Sequence, residues 1–300
     1  MTALIEIKCS AEDCLADFTF DFYWQHGGSR LDPDQIVRGI TRRQIVAALK
    51  AGEDVHIDGD AGDRLGSSLG VDLIKLGGKG GPISGTGSLI VDGCAGKRMG
   101  ISMLRGSIYL SGQTTEPLGN VIEVETDRTG YRKFISITDA LEMTPRVLEP
   151  NYFKEETLFI NDRILRDTVG ARNNSAKSIR ISGDCGMSTG ILMRCGSIRV
   201  LGGVDRNTGV LMKGGIIVVM GHAGDFTAAE MKNGEIFVKG RAGNYACAKM
   251  RGGSVYAQKA DPVPPAKEYE LNQNEKSTLI QVLGLNPIHA MMYKRYAISN

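Results

Sequence analysis

The chain has 300 residues, a formal net charge of +2, 42% hydrophobic and 6% aromatic residues, and 39 glycines against only 9 prolines. Glycine stands at almost twice its usual share of about 7%, yet far from a third and with no three-residue period, which excludes collagen; the Ile, Val, Leu and Met content excludes disorder. The near-neutral balance argues against a nucleic-acid binder or an acidic tail.

The start, Met1-Thr2-Ala3-Leu4-Ile5-Glu6-Ile7-Lys8, lacks the plan of a signal peptide, and no stretch approaches the roughly 18 apolar residues of a spanning helix. A cytoplasmic protein with no membrane span is expected. Cys9, Cys14, Cys94, Cys185, Cys195 and Cys247 form no C-x-x-C pair and fit a reducing compartment.

In chain order, residues 1–52 read as an N-terminal cap. Thr41-Arg42-Arg43-Gln44 is a capping box ahead of Ile45, Ala48 and Leu49, and Gly52 closes that helix, which should pack over a first coil. Two windows then hold 31 of the 39 glycines, Gly59 to Gly112 and Gly183 to Gly253. With Gly183 as position 0, glycine recurs at Gly202, Gly221 and Gly240, each 19 residues after the last. Position 10 reads Met193, Met212, Met231, Met250; position 13 reads Gly196, Gly215, Gly234, Gly253; position 15 reads Ile198, Ile217, Ile236, Val255. Gly93 opens a copy of the same frame, with Met103, Gly106 and Ile108 in the same columns, and Gly59 opens another that is interrupted by about 15 residues between Val71 and Gly85.

The signature within a repeat is G-x-x-G-x-x-x-G. It is whole in Gly59, Gly62 and Gly66, in Gly93, Gly96 and Gly100, and in Gly183, Gly186 and Gly190. Gly221 with Gly224, and Gly240 with Gly243, repeat it with Ala228 and Cys247 as small residues in the third place. Glycine is expected to supply positive φ at the corners and close approach between backbones. Each copy runs into a period-2 stretch such as Gly234-Glu235-Ile236-Phe237-Val238, a strand pattern. A unit this short cannot close its own core, so copies must stack, burying the Met, Ile and Val columns in a mainly β, parallel β-helix-like solenoid. The expected domains are the cap, a β-helix over 53–260 with insertions at about 71–85 and 120–175, and a linker with a helical tail over 261–300. The second insertion predicts a strand at Val121–Val124 and helices around Ile137–Met143 and Tyr152–Arg166. In the tail, Asn272–Leu283 reads as an amphipathic helix closed by Gly284, and Asn286-Pro287 starts another turn carrying Met291, Met292, Tyr293 and Tyr296.

Chemistry is sparse. His26, His56, His222 and His289 share no ligand spacing, and Cys9 and Cys14 read as structural thiols. Gly77-Gly78-Lys79-Gly80-Gly81 lacks phosphate-loop spacing. Asp60 with Asp63, and Asp225 with Glu230, read as solvated turn residues. No catalytic, cofactor or metal residue is assigned. Two columns point to partners. Position 11 stacks Arg194, Lys213, Lys232 and Arg251, which either splay into solvent or meet an acidic partner surface or anionic substrate. Position 16 places Tyr109, Val218, Phe237 and Tyr256, with Arg199, on the outer face, where an apolar stripe needs a cover from the chain itself or from another subunit.

These G-x-x-G-x-x-x-G units, with Met and Gly-x-Ile-x-Val following in 19-residue register, resemble the GXGXG repeat domain. That domain is shared by the C-type subunits of formylmethanofuran dehydrogenase and of the formyltransferase/hydrolase complex, and by the glutamate synthase large subunit. The resemblance implies a right-handed β-helix acting as scaffold in a one-carbon oxidoreductase complex, as in methanogenesis. Any molybdenum or tungsten pterin, dinuclear metal or iron–sulfur cluster would then sit on partner subunits. The alternatives are a glutamate synthase-like domain serving separate glutaminase and flavin chains, and a self-contained β-helix hydrolase using Asp225 or His222.

Overall fold

A computed structural model describes residues 4–8, 10, 16, 17 and 31–299. Cys9, Cys14, His26 and most of the first part of the expected cap lie outside the described residues. The chain forms two compact units, Met1–Glu149 with Ile164–Val169, and Pro150–Arg163 with Gly170–Asn300. Both are built from stacked coils, and among the described residues no helix is long and apolar enough to cross a membrane.

In the first unit, Leu4–Lys8, Asp54–Asp58, Leu89–Val91 and Ser107–Leu110 form a parallel ladder. Val55 pairs with Leu89 and Leu89 with Ile108, offsets of 34 and 19 residues, so the first coil carries the expected insertion without leaving register. Helix α1 (Arg42–Lys50) starts at the predicted box, with Thr41 accepting from the Gln44 amide. Its Ile45, Val46 and Leu49 pack with Val55, Leu65, Leu69 and Met103. The glycine-rich loop of the insertion wraps a carboxylate of its own chain, for the Lys79 amide donates to Asp72 at 2.9 Å and the Lys50 ammonium lies 2.7 Å from the other oxygen. These donors hold the Asp72 carboxyl below the usual carboxylate range, Lys50 being the larger cause. After Ser107–Leu110 the ladder turns antiparallel with Arg132–Ser136 and Val121–Val124, followed by α2 (Ile137–Met143).

The second unit holds the regular array. Thr157–Ile160, Ser178–Ile181, Ser197–Val200, Lys213–Val219, Asn233–Val238 and Ser254–Ala257 pair in parallel, with Ile179, Ile198, Ile217, Ile236 and Val255 in one register. The methionine column is sealed inside: Met193, Met212 and Met231 are 0% exposed and Met250 1%. Its fixed distance from the position-13 glycines has a steric cause. A Cβ on Gly215, Gly234 or Gly253 would lie 2.7, 2.7 or 2.3 Å from the methyl of Met193, Met212 or Met231 in the coil before, and all three glycines have φ between 88° and 110°. Each Met therefore fills the space that the next coil's missing side chain leaves, which locks the two columns together.

The signature glycines divide by cause. The third of each set turns left-handed, with φ of 71° at Gly100 and at Gly190, but Ala228 and Cys247 hold the same slot at 61° and 58°. Small size is what this corner demands, since a Cβ on Gly100 or Gly190 would lie 2.1 or 2.4 Å from a methyl of Val121 or Ile217. The second of each set is a close approach without a positive φ. A Cβ on Gly96, Gly224 or Gly243 would lie 2.7, 2.6 or 2.7 Å from the backbone nitrogen of Asp63, Arg206 or Asp225, and Gly186 is buried at the matching corner. Both expected uses of glycine are thus present and fall at different positions: positive φ at the third of each set and close approach between coils at the second.

Two expected elements are also corrected. The segment Tyr152–Arg166 is not a helix: Tyr152–Lys154 and Thr157–Ile160 form a hairpin that pairs with the first regular coil. Leu158 and Ile160 face inward at 0% and 2% exposure while Thr157 and Phe159 alternate outward, a period-2 pattern that suits a strand. In the tail, α3 (Gln273–Leu283) and α4 (Pro287–Ala290) form as expected, capped by Asn272 and Asn286. Tyr296, however, lies in a strand, Lys294–Ile298, that runs antiparallel between Ser254–Ala257 and Ala266–Tyr269.

Candidate partner-binding surface

The corners of the coils leave backbone amides outside the strand ladders, and each such donor needs an acceptor. Side chains one coil away supply them. Asp60 accepts from the Cys94 amide at 2.7 Å, Cys94 Sγ from Gln113 at 3.4 Å, Asp184 from Gly203 at 2.7 Å, and His222 Nδ1 from Arg241 at 3.0 Å. Asp63 does the same for Lys97 at 2.8 Å and Asp225 for Asn244 at 2.7 Å. The aspartates read as solvated turn residues are thus stitches between coils, and a signal for this was present: aspartate recurs at repeat positions 1 and 4. His222 and Asp225, the two residues named for a hydrolase, face successive corners in this structural role. Cys247 is buried, and burial pushes its thiol up to about 12.

Position 11 has a different character. The amides of Arg194, Lys213, Lys232 and Arg251 donate to Asn173, Met193, Met212 and Met231 of the coil before at 2.8, 2.7, 2.8 and 2.8 Å, so the four residues occupy successive rungs. Rungs of a ladder lie about 4.8 Å apart, which stacks four cations along one edge. Arg194, Lys232 and Arg251 are exposed and Lys213 half-buried. Among the described residues none of the four has an ion pair. The Lys213 ammonium is held below the usual lysine range, first by burial and then by Arg194, Lys232 and Arg172 around it.

A charge cluster in the first unit, by contrast, is neutralised internally. An open cleft of about 710 Å³ in the first unit is lined by Arg105, Lys133, Arg146, Asp127 and Glu142. There Arg105 pairs with Glu142 at 3.1 Å, Lys133 with Asp127 at 3.1 Å and Arg146 with Glu125 at 3.3 Å.

The position-16 stripe is covered by the chain itself, so its assignment as a partner-facing surface is corrected. Val218, Phe237 and Tyr256 pack beneath Leu279 and Leu283 of α3 together with Tyr293, and the Phe237 and Tyr256 rings stack with centroids 4.7 Å apart. The Arg199 guanidinium donates to the Val282 carbonyl of the same helix at 3.1 Å. In the first unit, Tyr109 is 5% exposed, its hydroxyl donating to Asp127 at 2.7 Å beneath Arg128 and Lys133. The apolar stripe was satisfied from within because the tail supplies a helix with leucines on one face; the cationic column has no such cover.

No protein-family model matches the chain. It is 47% identical over 188 residues to an uncharacterized protein of Methanothermobacter thermautotrophicus, the match taking in 62% of this chain and 61% of that one. The chain therefore spans about three fifths of the length of that relative. A solved structure, the formyltransferase/hydrolase complex from Methylorubrum extorquens with methylofuran, contains a chain that aligns with 81% of this one and 72% of its own length, at 18% identity and a TM-score of 0.40.

Proposed function

We propose that the chain is a non-catalytic scaffold subunit of a cytoplasmic, hetero-oligomeric one-carbon oxidoreductase complex of the formylmethanofuran dehydrogenase type, whose partner subunits carry the metal, pterin and iron–sulfur groups. The repeat in 19-residue register, with its Met and Gly columns, supports the family reading. One observation carries the scaffold role: the polar residues of the repeat corners, Asp60, Asp63, Asp184, His222 and Asp225, each bind an amide one coil on. Side chains that could serve acid–base chemistry thereby serve the stacking of coils instead.

The test is affinity purification of the full chain from its native source, with the co-purifying chains identified by mass. Metal- and pterin-carrying chains at fixed stoichiometry are expected. A chain that elutes alone as a monomer would sink the proposal. Glutamine-dependent glutamate formation on mixing with glutaminase and flavin chains would replace it with the glutamate synthase-like reading.

A further inference from the structure

We infer that the edge formed by Arg194, Lys213, Lys232 and Arg251 is the docking surface for an acidic segment of a partner protein, whose carboxylates meet the cations rung by rung. The inference rests on the scaffold reading only for the partner's being a subunit of the same complex.

Nothing in the coil requires charge at this position. The backbone of each residue enters the ladder and the neighbouring Met faces inward, so any outward side chain would satisfy the repeat. Four like charges at ladder spacing repel one another, and Arg194 and Lys232 add to the burial that lowers the Lys213 ammonium. Arg172, 8% exposed, adds a fifth cation behind them. Arg64, Arg98, Arg105, Arg132 and Lys133 lie against carboxylates of the chain; in this column the counter-charge is left for a partner to supply.

The column ends in a cleft. Arg251 lines an open pocket of about 450 Å³ with Ser254, Tyr269 and Arg295. Arg295 is fixed there by Glu275 at 2.8 Å and by the Tyr269 ring, 5.1 Å from the guanidinium carbon, while its Nε makes no hydrogen bond. The exposed Arg251 guanidinium at this cleft suits a carboxylate, which arginine binds with a fork of parallel N–H donors. The partner's segment is thereby anchored at one end and steered along the column.

The chemistry favours a protein over a nucleic acid. Glu230 and Glu235 stand two residues before and three after Lys232, so that rung carries carboxylates on both sides. A phosphodiester backbone carries charge along its whole width and would face these carboxylates, and the chain's net charge of +2 supplies no broad basic field. A protein segment can place its carboxylates singly.

The probe is a fluorescent hexaglutamate peptide, titrated with the full chain and read by anisotropy at rising NaCl. Binding that weakens steeply with salt is expected. The double variant Lys232→Glu with Arg251→Glu, both exposed, should bind at least about tenfold more weakly. The exposed control pair, Lys259→Glu with Lys267→Glu, should stay within about twofold. Thermal melting checks that both variants are folded; if the column variant is not, the charge-neutral pair Lys232→Gln with Arg251→Gln takes its place. No binding by the wild-type chain, equal loss in the control, or preference for an oligonucleotide of equal charge each overturns the docking surface. Native co-purification separates the two readings. Partners retained by the column variant would defeat this inference and leave the scaffold role standing, whereas partners absent even from the wild-type chain would defeat the scaffold role.

Discussion

Met231 and Gly253 show how one residue constrains another across coils. The methyl of Met231 would touch a Cβ on Gly253 at 2.3 Å, and Met231 itself is 0% exposed. Met231→Asp places an unpaired carboxylate in this space and should destabilise the chain by several kcal/mol, whereas Met231→Leu should cost under about 1.5 kcal/mol. Denaturant titration measures both, and a wild-type-like midpoint for the aspartate variant would contradict the inward column.

Lys213 is the opposite case, a residue whose charge the fold tolerates at some loss. Its folded-state value is lowered, so the unfolded chain binds the proton more tightly. The penalty is fully present below the folded value and is relieved as pH rises from there towards the unfolded value near 10.4. Lys213→Met should therefore raise stability at neutral pH by about 1 kcal/mol, the size of one like-charge contact in water. It should also remove the contribution that relief of the Lys213 charge makes to stability on going alkaline. Melting temperatures across pH 7 to 10 would settle this; a variant less stable than wild type at pH 7 would mean that the aliphatic stem outweighs the charge.

At the scale of elements, α3 acts as the lid of the position-16 stripe. Leu279 is 0% exposed between Phe237 and Tyr256, and Leu279→Ala should cost about 2–5 kcal/mol, with tryptic cleavage after Lys276 as an early sign that the helix has lifted. The helices were legible in the sequence because their signals are local: Thr41 with Gln44 and Asn272 with Glu275 fix both starts within four residues. The regular coils were legible because they repeat. The strands Thr157–Ile160 and Lys294–Ile298 were not, since what makes them strands is a partner far along the chain, Ser178–Ile181 in one case and Ser254–Ala257 in the other. The same limit applies to the site. The cations of position 11 could be read as a column once the period was known. That no acid of the described residues pairs with them, while Asp127 and Glu142 pair with Lys133 and Arg105, depends on which residues folding brings together.

For the molecule as a whole, the end of the second unit sets a limit on assembly. A stack of parallel coils repeats by translation, like a lattice row, and its last coil is a growth face on which another molecule's first coil could continue the row. The tail ends this repetition by reversing direction. Lys294–Ile298 lies antiparallel on Ser254–Ala257, and the short strand Ala266–Tyr269 beyond it presents exposed Lys267 and Glu268 at the new edge. A coil in the original orientation would meet there a short, charged edge instead of a matching rung. Truncation before Asp261 should therefore expose the translating face and convert the chain to head-to-tail oligomers whose size grows with concentration, measurable by light scattering. The tail is, in these terms, a chain terminator for a one-dimensional crystal of coils.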